Sequence, residues 1–176
     1  MGIWKYVFRI TIECLFLDGK FKRKMPIITL TTDMGLKDYY VGAVKGAILT
    51  QFPGAVIVDI SHSVSSFDIQ EAAFIIKNCY LDFPPGTIHI IGVNPERSED
   101  TPHIACFING HYFIGADNGI FSIVFDKKPV QIVELKHSGT KESLTFPTRD
   151  VFVAAACHLA QGGALEKTGS NTREIS

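Results

Sequence analysis

From Met25 onward, short unbroken apolar runs alternate with stretches of helical period. Ile27-Ile28-Thr29-Leu30-Thr31 is apolar and β-branched along its length, too short for a helix, and reads as a buried strand. Thr32-Asp33-Met34-Gly35 is a turn, after which Asp38 opens a helix with Val41, Val44, Ala47 and Ile48 on one face. Phe52-Pro53-Gly54 stops that helix. Residues 56–60 form the next strand, and Ser61-His62-Ser63 the loop beyond it. Ser65-x-x-Asp68 has the spacing of a capping box with Asp in place of Glu, which predicts a helix through Ala72, Ala73, Ile76 and Cys79. Pro84-Pro85-Gly86 breaks the chain again, and residues 87–93 are a third apolar strand.

Strands that are apolar at every position, rather than at alternate ones, are covered on both faces. With two helices between them they predict a βαβαβ order and a parallel sheet. The second half changes character. Asn109-Gly110 between the apolar runs 104–108 and 111–114 is a two-residue hairpin signal. Asp117-Asn118-Gly119 turns into a short apolar segment, 120–125, and residues 130–135 read as a strand. An alanine-rich helix over 150–160 ends at Gly162-Gly163, with no closing element expected after it. The fold class is α/β, a largely parallel sheet flanked by helices, with a β-hairpin in the second half.

Composition narrows the function classes. A chain of 176 residues, 46% hydrophobic and 20% charged, has the balance of one globular domain, not of a disordered or fibrous chain. A net charge of −1 offers no field to draw in phosphate backbones, so nucleic acid is not an expected partner. No window reaches the run of about 18 apolar residues that a membrane span needs. Cys14, Cys79, Cys106 and Cys157 form no CxxC pair, which suits reduced thiols in the cytoplasm better than a disulfide frame or a zinc site. The first 24 residues stand apart, with six Lys/Arg against two Asp/Glu, so their +4 leaves −5 for the remainder. Lys5, Arg9, Glu13 and Asp18 interrupt any secretion signal there. Residues 1–24 are therefore expected to be an extension outside the domain, and residues 25–176 the domain. The alternative for the extension is a strand or a basic amphipathic helix lying on a partner or membrane surface.

In an open parallel sheet the ligand site lies beyond the carboxyl ends of the strands. Three loops qualify, 32–35, 61–63 and 94–97, and the turns at 117–119 and 145–150 can join them. Asp33, at a strand end and followed by a glycine, can accept two hydrogen bonds from a ribose diol, hold a metal, attack a phosphoryl group, or simply cap a turn. Met34 supplies no second carboxylate for a metal phosphatase. His62 is either a base or a loop histidine satisfied by backbone carbonyls. Asn94 can donate and accept hydrogen bonds but cannot act as a base. Arg97 and Arg149 can each bind a carboxylate or stay solvated. There is no Gly-rich phosphate loop, HExxH or GxSxG.

Four ordered motifs carry a resemblance: Thr32-Asp33-Met34-Gly35-x-x-Asp38-x-x-Val41-Gly42-x-x-Lys45-Gly46, Val58-Asp59-Ile60-Ser61-His62, Asp117-Asn118-Gly119, and Thr145-Phe146-x-x-Arg149-Asp150. Together they resemble the S-adenosyl-L-methionine (SAM) hydroxide adenosyltransferases, adenosine-forming SAM hydrolases related to fluorinase and chlorinase, from Pro26 to about Gly169. The resemblance implies an N-terminal α/β domain and a smaller β-rich C-terminal domain in a homotrimer, with the ligand between neighbouring subunits. It implies SAM as substrate, adenosine and methionine as products, and no cofactor or metal. Asp33 matches the residue that holds the ribose hydroxyls, Phe67 an aromatic position near the ligand, and Thr145 and Thr148 polar positions of the nucleophile pocket. The family's hydrolases carry an Asp-Arg-His set; here the aspartate position is Asn94, the histidine position is Pro147, and Arg97 lies close to the arginine position near Thr101. Asn94, Arg97 and Thr148 are the catalytic candidates, and the β-rich domain is expected to be missing from a truncated chain. A non-catalytic SAM- or adenosine-binding protein and a metal-dependent phosphohydrolase using Asp33 are the alternatives.

Overall fold

The structure, a computed structural model, describes residues 25–127, 129–136 and 145–171. The expectations for residues 1–24 and for Cys14 lie outside the described residues. Each apolar run becomes a strand because its alternate side chains face two different layers. In β1 (Ile27–Thr32), Ile28 and Leu30 pack on one side of the sheet, among the residues of one core. Beside it run β2 (Val56–Ser61) and β3 (Ile88–Gly92), both parallel to β1. In β3, Ile88 and Ile90 join the same core as Ile28, whereas Ile91 turns to the other. The hairpin of β4 (His103–Ile108) and β5 (His111–Ala116) then extends the sheet, β5 parallel to β3 and β4 antiparallel to β5. Asn109 and Gly110 take φ of 52° and 85°, the left-handed pair that a two-residue hairpin requires. With β6 (Gln131–Leu135) and β7 (Gly169–Asn171) the order is β2-β1-β3-β5-β4-β6-β7, parallel through β5 and antiparallel beyond it.

Helices α1 (Tyr40–Gln51) and α4 (Val153–Ala160) cover one face, burying Val44, Ile48, Val153 and Ala156. Helix α2 (Ile69–Cys79) and the short α3 (Ile120–Val124) cover the other, burying Ala72, Ile76, Ile120 and Phe121. The mixed α/β fold is as the sequence predicts, with three local corrections and one segment, after Gly119, that the pattern left unassigned. The cap of α2 is Asp68, whose Oδ1 accepts the N–H groups of Gln70 and Glu71, and not Ser65. Glu71 instead reaches back to accept the Ser65 N–H at 2.8 Å. The apolar segment after Gly119 is helical. The stretch expected as one helix over 150–160 starts as a π-helical turn, Thr148–Phe152, before α4. A closing strand, β7, does follow the last helix and pairs with β6.

One irregularity positions the site. Leu30 pairs with Asp59 but Thr31 pairs with Ser61, so Ile60 is an extra residue between β1 and β2. Such bulges re-aim the side chains that follow them.

Candidate ligand site at the carboxyl edge of the sheet

The parallel strands deliver their following loops to one edge, and a single carboxylate joins them. Asp33 Oδ2 accepts the backbone N–H of Phe67 at 3.0 Å and of Asn94 at 3.3 Å. Both donors have left-handed backbones, φ 64° at Phe67 and 45° at Asn94. A non-glycine residue holds that conformation only when its surroundings compensate a cost on the order of 1–3 kcal/mol. Charge-assisted hydrogen bonds to Asp33 provide such compensation. Its other oxygen, Oδ1, has no donor among the described residues. A fourth loop is tied in by Asn118, whose Nδ2 donates to the carbonyls of Val93 at 3.2 Å and Asn94 at 3.0 Å. Its Oδ1 accepts the Ile120 N–H at the start of α3.

The ring of Phe67 stands exposed beside this carboxylate. Thr148 is fully buried behind β3, where a Cβ on Gly92 would come within 2.7 Å of its Oγ1. That hydroxyl has no hydrogen-bond partner among the described residues. Thr145 is exposed at the start of the same turn. Phe146 meets the edge of the Tyr40 ring at 5.3 Å and lies beneath the Arg149 guanidinium, which forks onto Asp150. Asp33, Phe67 and Asn94 are therefore brought together directly, and Thr148 is packed just behind β3. Arg97 is drawn elsewhere, pairing with Glu134 of β6 at 3.2 Å.

His62 is neither of the two things its sequence position offers. It is buried, and its ring is bonded by side chains rather than backbone carbonyls: Nδ1 lies 2.8 Å from Thr32 Oγ1, and Nε2 lies 3.1 Å from Asp59 Oδ1. Burial alone would raise the Asp59 pKa, but the hydrogen bond from Lys45 and the close approach of His62 outweigh it and hold the carboxyl below its usual range. The involvement of Asn118 and Thr32 was not legible in the motifs, because each acts across the fold through a hydrogen bond to another loop.

Among the described residues, no cluster of three or more His, Cys, Asp or Glu side chains is placed to hold a metal ion. No described helix is long and apolar enough to cross a membrane. A groove of about 590 Å³ opens at the opposite, amino end of the strands, between Pro85, Phe107, Tyr112 and Leu159. It is lined without any charged side chain, whereas the groups able to do chemistry gather at the carboxyl edge. The carboxyl edge is the candidate site.

Residues 28–169 match the family model described as the SAM hydroxide adenosyltransferase N-terminal domain. The chain is 34% identical over 141 residues to the (R)-S-adenosyl-L-methionine hydrolase of Methanocaldococcus jannaschii, covering 77% of this chain and 53% of that protein. It is 30% identical over 142 residues to the hydrolase of the same name from Thermus thermophilus, covering 74% and 55%. A fluorinase from an Actinoplanes species is 26% identical over 171 residues, covering 82% and 57%. Among solved structures, an uncharacterized conserved protein from Thermotoga maritima superposes with a TM-score of 0.77 at 31% identity, covering 85% of this chain and 59% of that one. The chain spans a little over half the length of the curated relatives it matches.

Proposed function

The chain belongs to the SAM hydroxide adenosyltransferase family, and from that premise we propose that the whole protein hydrolyses SAM to adenosine and L-methionine. Water or hydroxide attacks the ribose 5′ carbon, the C5′–S bond breaks with its electron pair leaving on sulfur, and the attacking water gives up one proton. The observation that carries the reading is the Asp33 carboxylate, held by the amides of two loops with Oδ1 left open to a ribose diol. A sulfonium leaves without being protonated, so the protein has to orient the reactants and strip water from the nucleophile rather than supply an acid. Asp33 binds the ribose, Phe67 offers an aromatic wall beside it, and Thr145 and Thr148 are the polar groups of the nucleophile pocket. Asn94 and Arg97 take the places nearest the hydrolases' aspartate and arginine, with Asn94 restricted to hydrogen bonding. The assembly proposed is a homotrimer, in keeping with the family resemblance, and the scattered cysteines suit the cytoplasm.

A second reading, a SAM- or adenosine-binding protein without turnover, is favoured by one observation. Asn94 and Pro147 stand where a proton-accepting set is expected, and Arg97 is committed to Glu134. Incubating the whole protein with SAM in ¹⁸O-water separates these. Hydrolysis yields equal adenosine and methionine with the label in the adenosine 5′-hydroxyl. Adenosine binding without turnover favours the second reading. Hydrolysis of p-nitrophenyl phosphate that needs Mg²⁺ or Mn²⁺ and vanishes in Asp33→Asn would overturn both.

A further inference from the structure

We infer that the His62 side chain is a positioning group that aims the Asp33 carboxylate, acting through Thr32 without touching the ligand; this rests on the reading that Asp33 grips a ribose diol. The residues on both sides of Asp33 are tied to this one histidine. Its Nδ1 is 2.8 Å from the Thr32 hydroxyl, and its own carbonyl accepts the Gly35 N–H at 2.7 Å. The Thr32 hydroxyl in turn accepts the Met34 N–H at 3.4 Å. Positions 32, 34 and 35 are thus all held from beneath, while the Phe67 and Asn94 amides hold the carboxylate from above.

The histidine is itself set by the fold. In a regular strand, residues three apart point to opposite faces. Asp59 and His62 meet because the extra residue at Ile60 shifts the register between them. Asp59 is anchored from α1 by Lys45. Its Oδ1 approaches Nε2 to 3.1 Å. A carboxylate there favours the tautomer with hydrogen on Nε2, which leaves the Nδ1 lone pair to accept the Thr32 O–H. Lys45, Asp59, His62 and Thr32 form a polarised chain from the sheet edge to the residue beside Asp33. Thr32 and His62 are both buried, so the imidazole has no opening through which to meet substrate directly.

The test compares His62→Ala, His62→Asn and His62→Gln in the whole protein. Asparagine places an amide near the Nδ1 position and keeps the Thr32 contact, whereas glutamine reaches the Nε2 position and keeps only Asp59. Two quantities are read by NMR: hydrogen exchange at the Met34 amide, with the Gly35 amide, bonded to the backbone carbonyl of residue 62, as the control, and affinity for adenosine against 2′,3′-dideoxyadenosine. Exchange at Met34 should quicken about tenfold in the Ala and Gln variants, and their preference for adenosine should fall by a similar factor, the weight of one hydrogen bond. The Asn variant should stay near wild type in both. Asn and Gln behaving alike, or Ala leaving exchange and preference intact, would overturn the inference. Should Ala fail to fold, the Asn–Gln comparison decides. If wild type does not prefer adenosine, the ribose reading fails by itself, and the exchange rates still decide whether His62 holds the loop.

Discussion

Asp33 has two duties at once, and that shapes how it must be tested. Its Oδ2 ties two loops together, while Oδ1 has no donor among the described residues. Hydrogen bonds to a charged acceptor contribute about 1.5–3 kcal/mol each. In the whole protein, Asp33→Ala should therefore lower adenosine affinity by roughly 10²-fold or more. Asp33→Asn retains one acceptor oxygen and should be milder, and calorimetry with 2′,3′-dideoxyadenosine should register little change for it. Equal loss of both nucleosides in Asp33→Asn would mean that the loops had parted and that the ribose contact was misassigned. A second residue-scale prediction concerns acid. His89 is buried on the α2 side of the sheet, bonded to Thr29 at 2.8 Å and to His111 at 3.2 Å, and stacked on Phe113. Burial, then the neighbouring His111, pushes its pKa down to about 3, and burial lowers that of His111 too. The unfolded chain takes up a proton on each near pH 6.5, whereas the fold keeps His89 neutral to about 3. Stability is thus complete above pH ~6.5 and lost as pH falls toward 3, by up to about 1.4 kcal/mol per unit from His89. Urea midpoints between pH 7 and 5 should show this slope, and His89→Gln should flatten it.

At the scale of elements, α2 and the π-helical turn each depend on a contact that can be cut. Asp68 caps α2 through two backbone N–H groups, so Asp68→Ala should cost about 1 kcal/mol of stability. Ser65→Ala should cost far less, because only the Ser65 backbone N–H takes part. Equal melting shifts for the two would restore Ser65 as the cap. The turn Thr148–Phe152 lies so close to β3 that only glycine fits at position 92: an added Cβ would meet Thr148 Oγ1 at 2.7 Å and Cγ2 at 3.0 Å. Gly92→Ala should destabilise by about 1–3 kcal/mol, as overpacking does. Thr148→Ala in the same chain should recover much of that loss, since it removes both clashing atoms. Additive effects in a double-mutant cycle would show that the strain lies elsewhere.

For the whole molecule, the core of the described residues is split between the two faces of one sheet. The first strand of the described residues begins at Ile27, and the net +4 of residues 1–24 sets them apart from the −5 of the remainder. A chain starting at Met25 should show the same unfolding transition and the same oligomeric state as the longer one. A loss of several kcal/mol on deletion, read from denaturant midpoints, would place residues 1–24 in contact with the domain.

Local signals were legible wherever the physics is local. Apolar runs, the Asn109-Gly110 turn and the apolar faces of α1 and α2 each depend on residues a few positions apart, and each formed as its pattern dictates. Asp33 could be picked out as a strand-end carboxylate, and Phe67 and Asn94 as ligand-site positions through the family resemblance. How they meet could not be read. The bonds that join Asp33 to Phe67 and Asn94 span 34 and 61 positions, and the Thr32–His62 bond spans 30. Those pairings exist only once β1, β2 and β3 lie in register, and the register itself turns on one extra residue at Ile60. The sequence by itself determined strands β1 to β6, helices α1 and α2 and the hairpin turn, because hydrophobic period and backbone preference act within a few residues. The tertiary structure alone decided that Arg97 turns to Glu134, that His62 is clamped between Thr32 and Asp59, and that Asp33 holds three loops at one edge. A hydrogen bond between distant loops leaves no mark in either segment until the sheet has brought their backbones within reach.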